Sequence, residues 1–211
     1  PSIIGFLGAT LWVFAVVNAV NFMDGANGLI TNMLVIASFV LTVIGLSSGS
    51  VLTVFLCGVL IAGFLGFLPY NQRRKAAIFL GDTGSLLAGF VFALASLSIA
   101  NISVGGALLF LGPLLILPLL ADVLLTLASR AKRKQNLLTA HRDHIYQRLI
   151  TKGVSHLQVT WIYSILGLVF ANISIFAVQS GRISSPVFFA INIAAVSTLY
   201  VIASRLLPRI S

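Results

Sequence analysis

Asp24, Asp82, Asp122 and Asp143 are the only acidic side chains in the sequence, and there is no Glu. Two of them stand in turns rich in Gly and Asn, NFMDGANGL and FLGDTGSLL. In a chain this apolar an acid is costly to keep, so its default role is chemical rather than decorative. The remaining charge is basic, with 13 Lys and Arg and a net charge of +9. Few carboxylates among basic clusters suit phosphate groups handled with a divalent cation.

The residues around each acid refine this reading. Asn18 and Asn21 are three apart and share a helix face ahead of Asp24. Asp24-Gly25 and Asn27-Gly28 are turn pairs that permit close backbone approach. The stretch holds amides and a carboxylate at a membrane edge, suited to a ligand with several hydroxyl and phosphate groups. The plain alternative is a turn between two helices. Asp82 opens a later apolar run, where it can ligate Mg²⁺ while the free N–H groups of the helix start face an anion. It can equally N-cap that helix, as can Thr83 or Ser85. His141, Arg142, Asp143, His144, Tyr146, Gln147 and Arg148 crowd one loop. Two His at i, i+3 with no Cys or further His nearby are a poor zinc set. Imidazole and guanidinium donors for a diphosphate fit better, beside the reading of a solvated basic loop. Asp122 lies inside an apolar run, which marks a functional or network position, or a packing hydrogen bond to a neighbouring span. Arg130 lies about 12 Å further along that helix, too far for a direct pair.

The elements that must position these groups are membrane helices. The chain is 59% hydrophobic and 8% charged, whereas a soluble domain carries about 25% charged residues. Continuous apolar runs near the length of a bilayer crossing predict an all-α polytopic membrane protein. About seven spans are expected, at 3–20, 29–46, 51–68, 85–100, 106–129, 159–178 and 186–206. Pro69 should end the third, and Pro113 and Pro118 should kink the fifth. The basic clusters at 73–75, 130–134, 142–152 and 205–209 fall on one side, which the positive-inside rule makes cytoplasmic, leaving Arg182 alone outside. Asp24, Asp82 and Asp143 then share that face, with Asp122 about two turns inside it. Clusters in short loops between spans argue for membrane lipids and phosphate ligands, and against nucleic acid. Cys57, in an apolar run, supports neither a disulfide nor a metal site. A single integral-membrane domain covers 1–211. Since the chain starts at Pro1 and enters a span at once, it reads as the C-terminal portion of a longer protein.

NxxNxxDGxxGL followed by FxGDxGS and then HRDHIYQRL resembles the polyprenyl-phosphate N-acetylhexosamine-1-phosphate transferases of glycosyltransferase family 4. The resemblance spans about 18–147. It implies transfer of a sugar 1-phosphate from a UDP-N-acetylhexosamine to undecaprenyl phosphate, releasing UMP and requiring Mg²⁺, with Mn²⁺ as a substitute. That activity would start cell-surface polysaccharide synthesis at the cytoplasmic face of a bacterial inner membrane. By resemblance Asp82 is the Mg²⁺ ligand and Asp24 the essential acid near the diphosphate. Phe79 is an aromatic that stacks on uracil, and Asn21 a nucleotide-site residue. Asn18 joins the substrate side, and Arg142 and His144 join the catalytic set. His141, Tyr146 and Gln147 belong to the loop pattern of the O-antigen-initiating branch, and Asp122 matches an acid at the same place in that branch. Two departures stand out. DGANGL puts Asn27 where the family has an acid near the uracil, and the family's adjacent Asp pair in an earlier loop is absent, which truncation would explain. The rival classes are a membrane transporter, which would gather polar groups near mid-bilayer, and a catalytically inactive homologue. A homodimer is the open alternative to a monomer.

Overall fold

Long apolar runs can satisfy their backbone in a bilayer only as helices or closed barrels, and here they form helices. The computed structural model describes residues 2–103, 107–136, 139 and 142–207. Among these residues the order is α1 (Ile3–Met23), α2 (Leu29–Ser48), α3 (Val51–Asn71), α4 (Gly81–Ile102), α5 (Leu111–Leu115), α6 (Leu117–Lys132), α7 (Ile145–Thr151), α8 (His156–Gln179) and α9 (Pro186–Leu206), with no strand. Six of them, α1 to α4, α8 and α9, are long and apolar enough to cross a membrane.

Three local departures have physical causes. The fifth apolar run is not one kinked span but two helices, α5 and α6, broken at Ile116 (φ −110°, ψ 19°). Pro118 has no N–H to give to Leu114, and in a continuous helix its ring would clash with the Leu114 carbonyl. The helix therefore restarts with proline in its first turn, where no N–H is needed. At Pro69 the opposite happens, and α3 continues one turn further. Asn71 anchors that last turn, accepting from Gly28 N–H at 2.7 Å and donating to the Ile78 carbonyl at 2.9 Å. The third departure is α7, a helix where a loop is expected.

The core is centred on α2, which packs against α3, α4 and α8; α9 joins through α6 and α7. Helices in lipid associate through small residues that let backbones touch, and α1 meets α4 in this way. A Cβ at Gly89 would lie 2.9 Å from the Val17 Cα. Trp12 Nε1 donates to Ser96 Oγ at 2.8 Å nearer the other end of the same pair. Hydrogen bonds also gather the polar segments at one end of the bundle. Thr160 donates to the Asn27 carbonyl (2.7 Å), Tyr146 to the Phe22 carbonyl (3.0 Å) and Arg148 to the Ser204 carbonyl (2.7 Å).

Candidate active site

The end of α1 and the start of α4 form the site. Asn21 Nδ2, on the last turn of α1, donates to Asp82 Oδ1 at 3.1 Å and to Ser85 Oγ at 2.9 Å. Asp82 sits in the first turn of α4 and is exposed. The N-cap position is Leu80, with no side-chain capping bond, so the capping alternative for Asp82 is not taken. Asp24, just past α1, faces the same corner. Burial pushes its carboxyl up, the Asp82 charge pushes it further, and a hydrogen bond from the Gly81 N–H opposes both, leaving it at about 7. Two acids that repel one another are stabilised by a cation between them. Mg²⁺ takes one or two carboxylates and fills its remaining positions with water and phosphate oxygens. No three His, Cys or acidic side chains gather among the described residues, so Asp24 and Asp82 could hold an open, two-carboxylate Mg²⁺ position but not a closed cage.

A second layer fixes the turn that carries Asp24. Asn27 is 4% exposed and its amide donates to the Arg73 carbonyl at 2.8 Å. Its side chain therefore ties the 24–28 turn to the loop after α3. Tyr146, 2% exposed, lies across Gly25 so closely that a Cβ there would collide with its hydroxyl. Gln147 Nε2 donates to that same hydroxyl at 3.2 Å, and Gln147 Oε1 accepts from His144 N–H at 3.4 Å. His144 is buried, its ring 6.3 Å from Phe22 and 6.0 Å from Tyr146, and its Nδ1 is 3.5 Å from Asp122 Oδ1. The ring lies among these aromatic neighbours and the carboxylate, at the start of α7.

Asp122 and Asp143 are both committed elsewhere. Asp122 is 3% exposed and holds the start of α7 together with side chains of α6 and α8. Its oxygens are engaged by these groups, and it also lines a cavity of about 250 Å³ with Tyr163 and Tyr200. Asp143 pairs with Arg130 at 2.8 Å and Arg133 at 3.5 Å. Arg130, which looked too far from Asp122 for a pair, is buried in this second network and also donates to the Asn136 carbonyl at 2.7 Å.

The other expected residues divide. Phe79 is 61% exposed, two residues before α4, and Arg142 is exposed just ahead of α7. Asn18 does not join Asn21 in the site, because its amide donates to the Phe14 carbonyl of its own helix at 2.7 Å. His141 lies outside the described residues. Asn71, Ser85, Thr160 and Tyr163 escaped the sequence reading as site residues. Thr160 and Tyr163 carried a signal, polar groups three apart on one face of an apolar helix. Asn71 carried none, since an Asn after Pro-Tyr reads as loop.

Residues 1–100 match the profile of glycosyl transferase family 4. The chain is 34% identical over 183 residues to a Bacillus subtilis protein named probable undecaprenyl-phosphate N-acetylglucosaminyl 1-phosphate transferase, covering 84% of the chain and 49% of that protein. It is 32% identical over 180 residues to a Chlamydia trachomatis phospho-N-acetylmuramoyl-pentapeptide-transferase, covering 83% and 51%. It is 32% identical over 213 residues to a Mycobacterium tuberculosis decaprenyl-phosphate N-acetylglucosaminephosphotransferase, covering 90% and 52%. The chain spans about half the length of each of these relatives.

Proposed function

Because the chain belongs to glycosyl transferase family 4, we propose that it is part of an enzyme moving an N-acetylhexosamine 1-phosphate from a UDP-sugar to undecaprenyl phosphate. UMP is released, and the product starts a cell-surface polysaccharide. The observation that carries this reading is the Asn21 amide spanning Asp82 and Ser85, with the Asp24 carboxyl near enough to feel the Asp82 charge. Four groups from the end of α1 and the start of α4 converge around the exposed Asp82, as a phosphate-transfer site requires.

In the reaction a phosphate oxygen of the lipid attacks the phosphorus that bears the sugar. The bond from that phosphorus to the bridging oxygen breaks, and its electron pair leaves on UMP. Mg²⁺ (or Mn²⁺), held by Asp82 with Asp24, would supply charge neutralisation at the diphosphate. Asn21 sets the direction of the Asp82 carboxylate by bonding one oxygen and leaving the other open. The exposed Phe79 ring offers a face for uracil to stack on, and the exposed Arg142 offers a guanidinium to the leaving phosphate. A groove of about 670 Å³ between α1 and α4, lined by Phe14, Asn18, Leu86 and Phe90, suits a prenyl chain. Arg73, Arg74, Arg130 and Arg133 lie at the same end as the site, which supports a cytoplasmic-facing site in a bacterial inner membrane. Tyr146 and Gln147 favour the O-antigen-initiating branch, whose loop pattern they match.

The test is UMP release by membranes carrying the full-length protein, given a UDP-N-acetylhexosamine, undecaprenyl phosphate and Mg²⁺. Release that needs all three and vanishes in Asp82→Asn, with insertion intact, is the expected result. An active Asp82→Asn removes that residue from the metal role. No release from well-inserted wild type defeats the transferase reading.

A further inference from the structure

Asp122 accepts four hydrogen bonds, none of them from the Asp24–Asp82 corner. Its Oδ1 accepts from the Ile145 N–H at 2.9 Å and the Thr126 hydroxyl at 3.3 Å. Its Oδ2 accepts from the Tyr163 hydroxyl at 2.5 Å and the Tyr146 N–H at 3.3 Å. His144 Nδ1 stands 3.5 Å from Oδ1. Helices α6, α7 and α8 therefore meet at one carboxylate. Two of its bonds go to the first two N–H groups of α7, which have no partners inside that helix. The segment held in this way carries Tyr146, and Tyr146 reaches across to the Phe22 carbonyl at 3.0 Å and lies against Gly25, next to Asp24. A continuous chain of contacts thus runs from Asp122 through the α7 backbone to the turn that bears the site acid.

We propose that Asp122 is a positioning residue, whose carboxylate fixes the 144–147 segment against the Asp24 turn and so sets the geometry of the site. The inference rests on the transferase reading for its consequence but not for its geometry. A carboxylate is required because both oxygens face donors. An amide of the same shape would turn an NH₂ toward either the Ile145 or the Tyr146 N–H, neither of which can accept. Asn at 122 must then forfeit at least one backbone bond whichever way it is turned. A buried donor left unmet in this way is costly, and the strain falls on α7 because α6 and α8 are held by long apolar interfaces.

Hydrogen exchange on the full-length protein in nanodiscs, without substrates, tests this directly. In Asp122→Asn, exchange in 145–148 should rise at least tenfold while α2 and α4 stay within twofold of wild type. In the UMP assay kcat/KM should fall at least tenfold. Tyr163→Phe removes one donor without leaving a charge unmet, and should give the same local pattern at smaller amplitude. Unchanged exchange in 145–148, or a rise shared equally by α2 and α4, overturns the proposal. The exchange readout needs no turnover. An inactive wild type would thus defeat the transferase reading and leave the placement of α7 to be judged by its own measurement.

Discussion

Gly89→Ala probes whether the close approach of α1 and α4 sets the distance between Asn21 and its partners. The added Cβ would lie 2.9 Å from Val17 Cα and 3.3 Å from both the Val16 carbonyl oxygen and Val20 Cβ. Non-bonded carbons rest about 3.5–4.0 Å apart, so α1 must withdraw by roughly 0.6–1 Å. The helices run antiparallel here. Asn21 is one turn beyond Val17, Ser85 one turn before Gly89, and the displacement reaches them undiminished. The Asn21–Ser85 and Asn21–Asp82 bonds, 2.9 and 3.1 Å long, would stretch past the range where a hydrogen bond survives. Overpacking of this kind costs about 1–3 kcal/mol of stability, and a 1 Å misplacement costs about 10²-fold in rate. The expected result is an inserted, folded protein whose kcat/KM in the UMP assay falls about 10- to 100-fold. Gly63→Ala is the control. A methyl there meets nothing within 4 Å, and replacing a mid-helix Gly by Ala otherwise stabilises by about 0.5–1 kcal/mol. Activity of Gly89→Ala within twofold of Gly63→Ala would refute the argument that backbone contact at Gly89 governs the site.

Two further outcomes follow from the same corner. Asp24 has a folded pKa of about 7 against an ordinary 3.8, so the folded protein holds this proton more tightly than the unfolded chain. Its contribution is intact below the unfolded value and is lost as pH rises through about 7. In EDTA, Asp24→Asn should therefore melt above wild type at pH 8 and level with it near pH 4. Added Mg²⁺ should raise the wild-type midpoint at pH 8 only, and a variant indistinguishable at both pH values would count against the buried, charge-opposed carboxyl. Gly25→Ala should lower activity by driving Tyr146 off the turn, and Tyr146→Phe in the same protein should restore part of it by removing the colliding hydroxyl. Strictly additive losses in the UMP assay would show that the two residues do not meet.

Legibility in the sequence tracked how local each determinant is. Apolar runs announce their helices because a bilayer leaves the backbone no other solution. Asn21, Asp24 and Asp82 were readable because turn chemistry and spacing place them within a few residues of a helix end. The break at Ile116 was half readable: proline marked the spot, but a kink and a full stop differ only in how neighbouring helices take up the freed carbonyls. Helix α7 was not readable, because the N–H groups of Ile145 and Tyr146 are met from Asp122, far back in the chain. Asn27 and Asn71 failed for the same reason. Their amides are ordinary loop groups until two distant turns close on each other.

The distribution of the four acids makes the strongest case for where the chemistry sits. Asp122 is saturated by two backbone N–H groups and two hydroxyls. Asp143 is neutralised by two arginines. Each is as satisfied as a buried or half-buried carboxylate can be, and a satisfied acid has little left to offer a ligand. Asp82 and Asp24 are arranged in the opposite way. Asp82 is exposed and takes one bond from the Asn21 amide, while Asp24 beside it is raised toward neutrality first by burial and then by the Asp82 charge. Folding alone does not favour that arrangement, since removing either charge would relieve it. A repulsive pair kept at an exposed helix junction, in a chain that spends its other two acids on structure, is best accounted for by something positive that binds between them. The packing of Gly89, Asn27, Asn71 and Tyr146 then serves one end, which is to hold two like charges where such a partner can reach both.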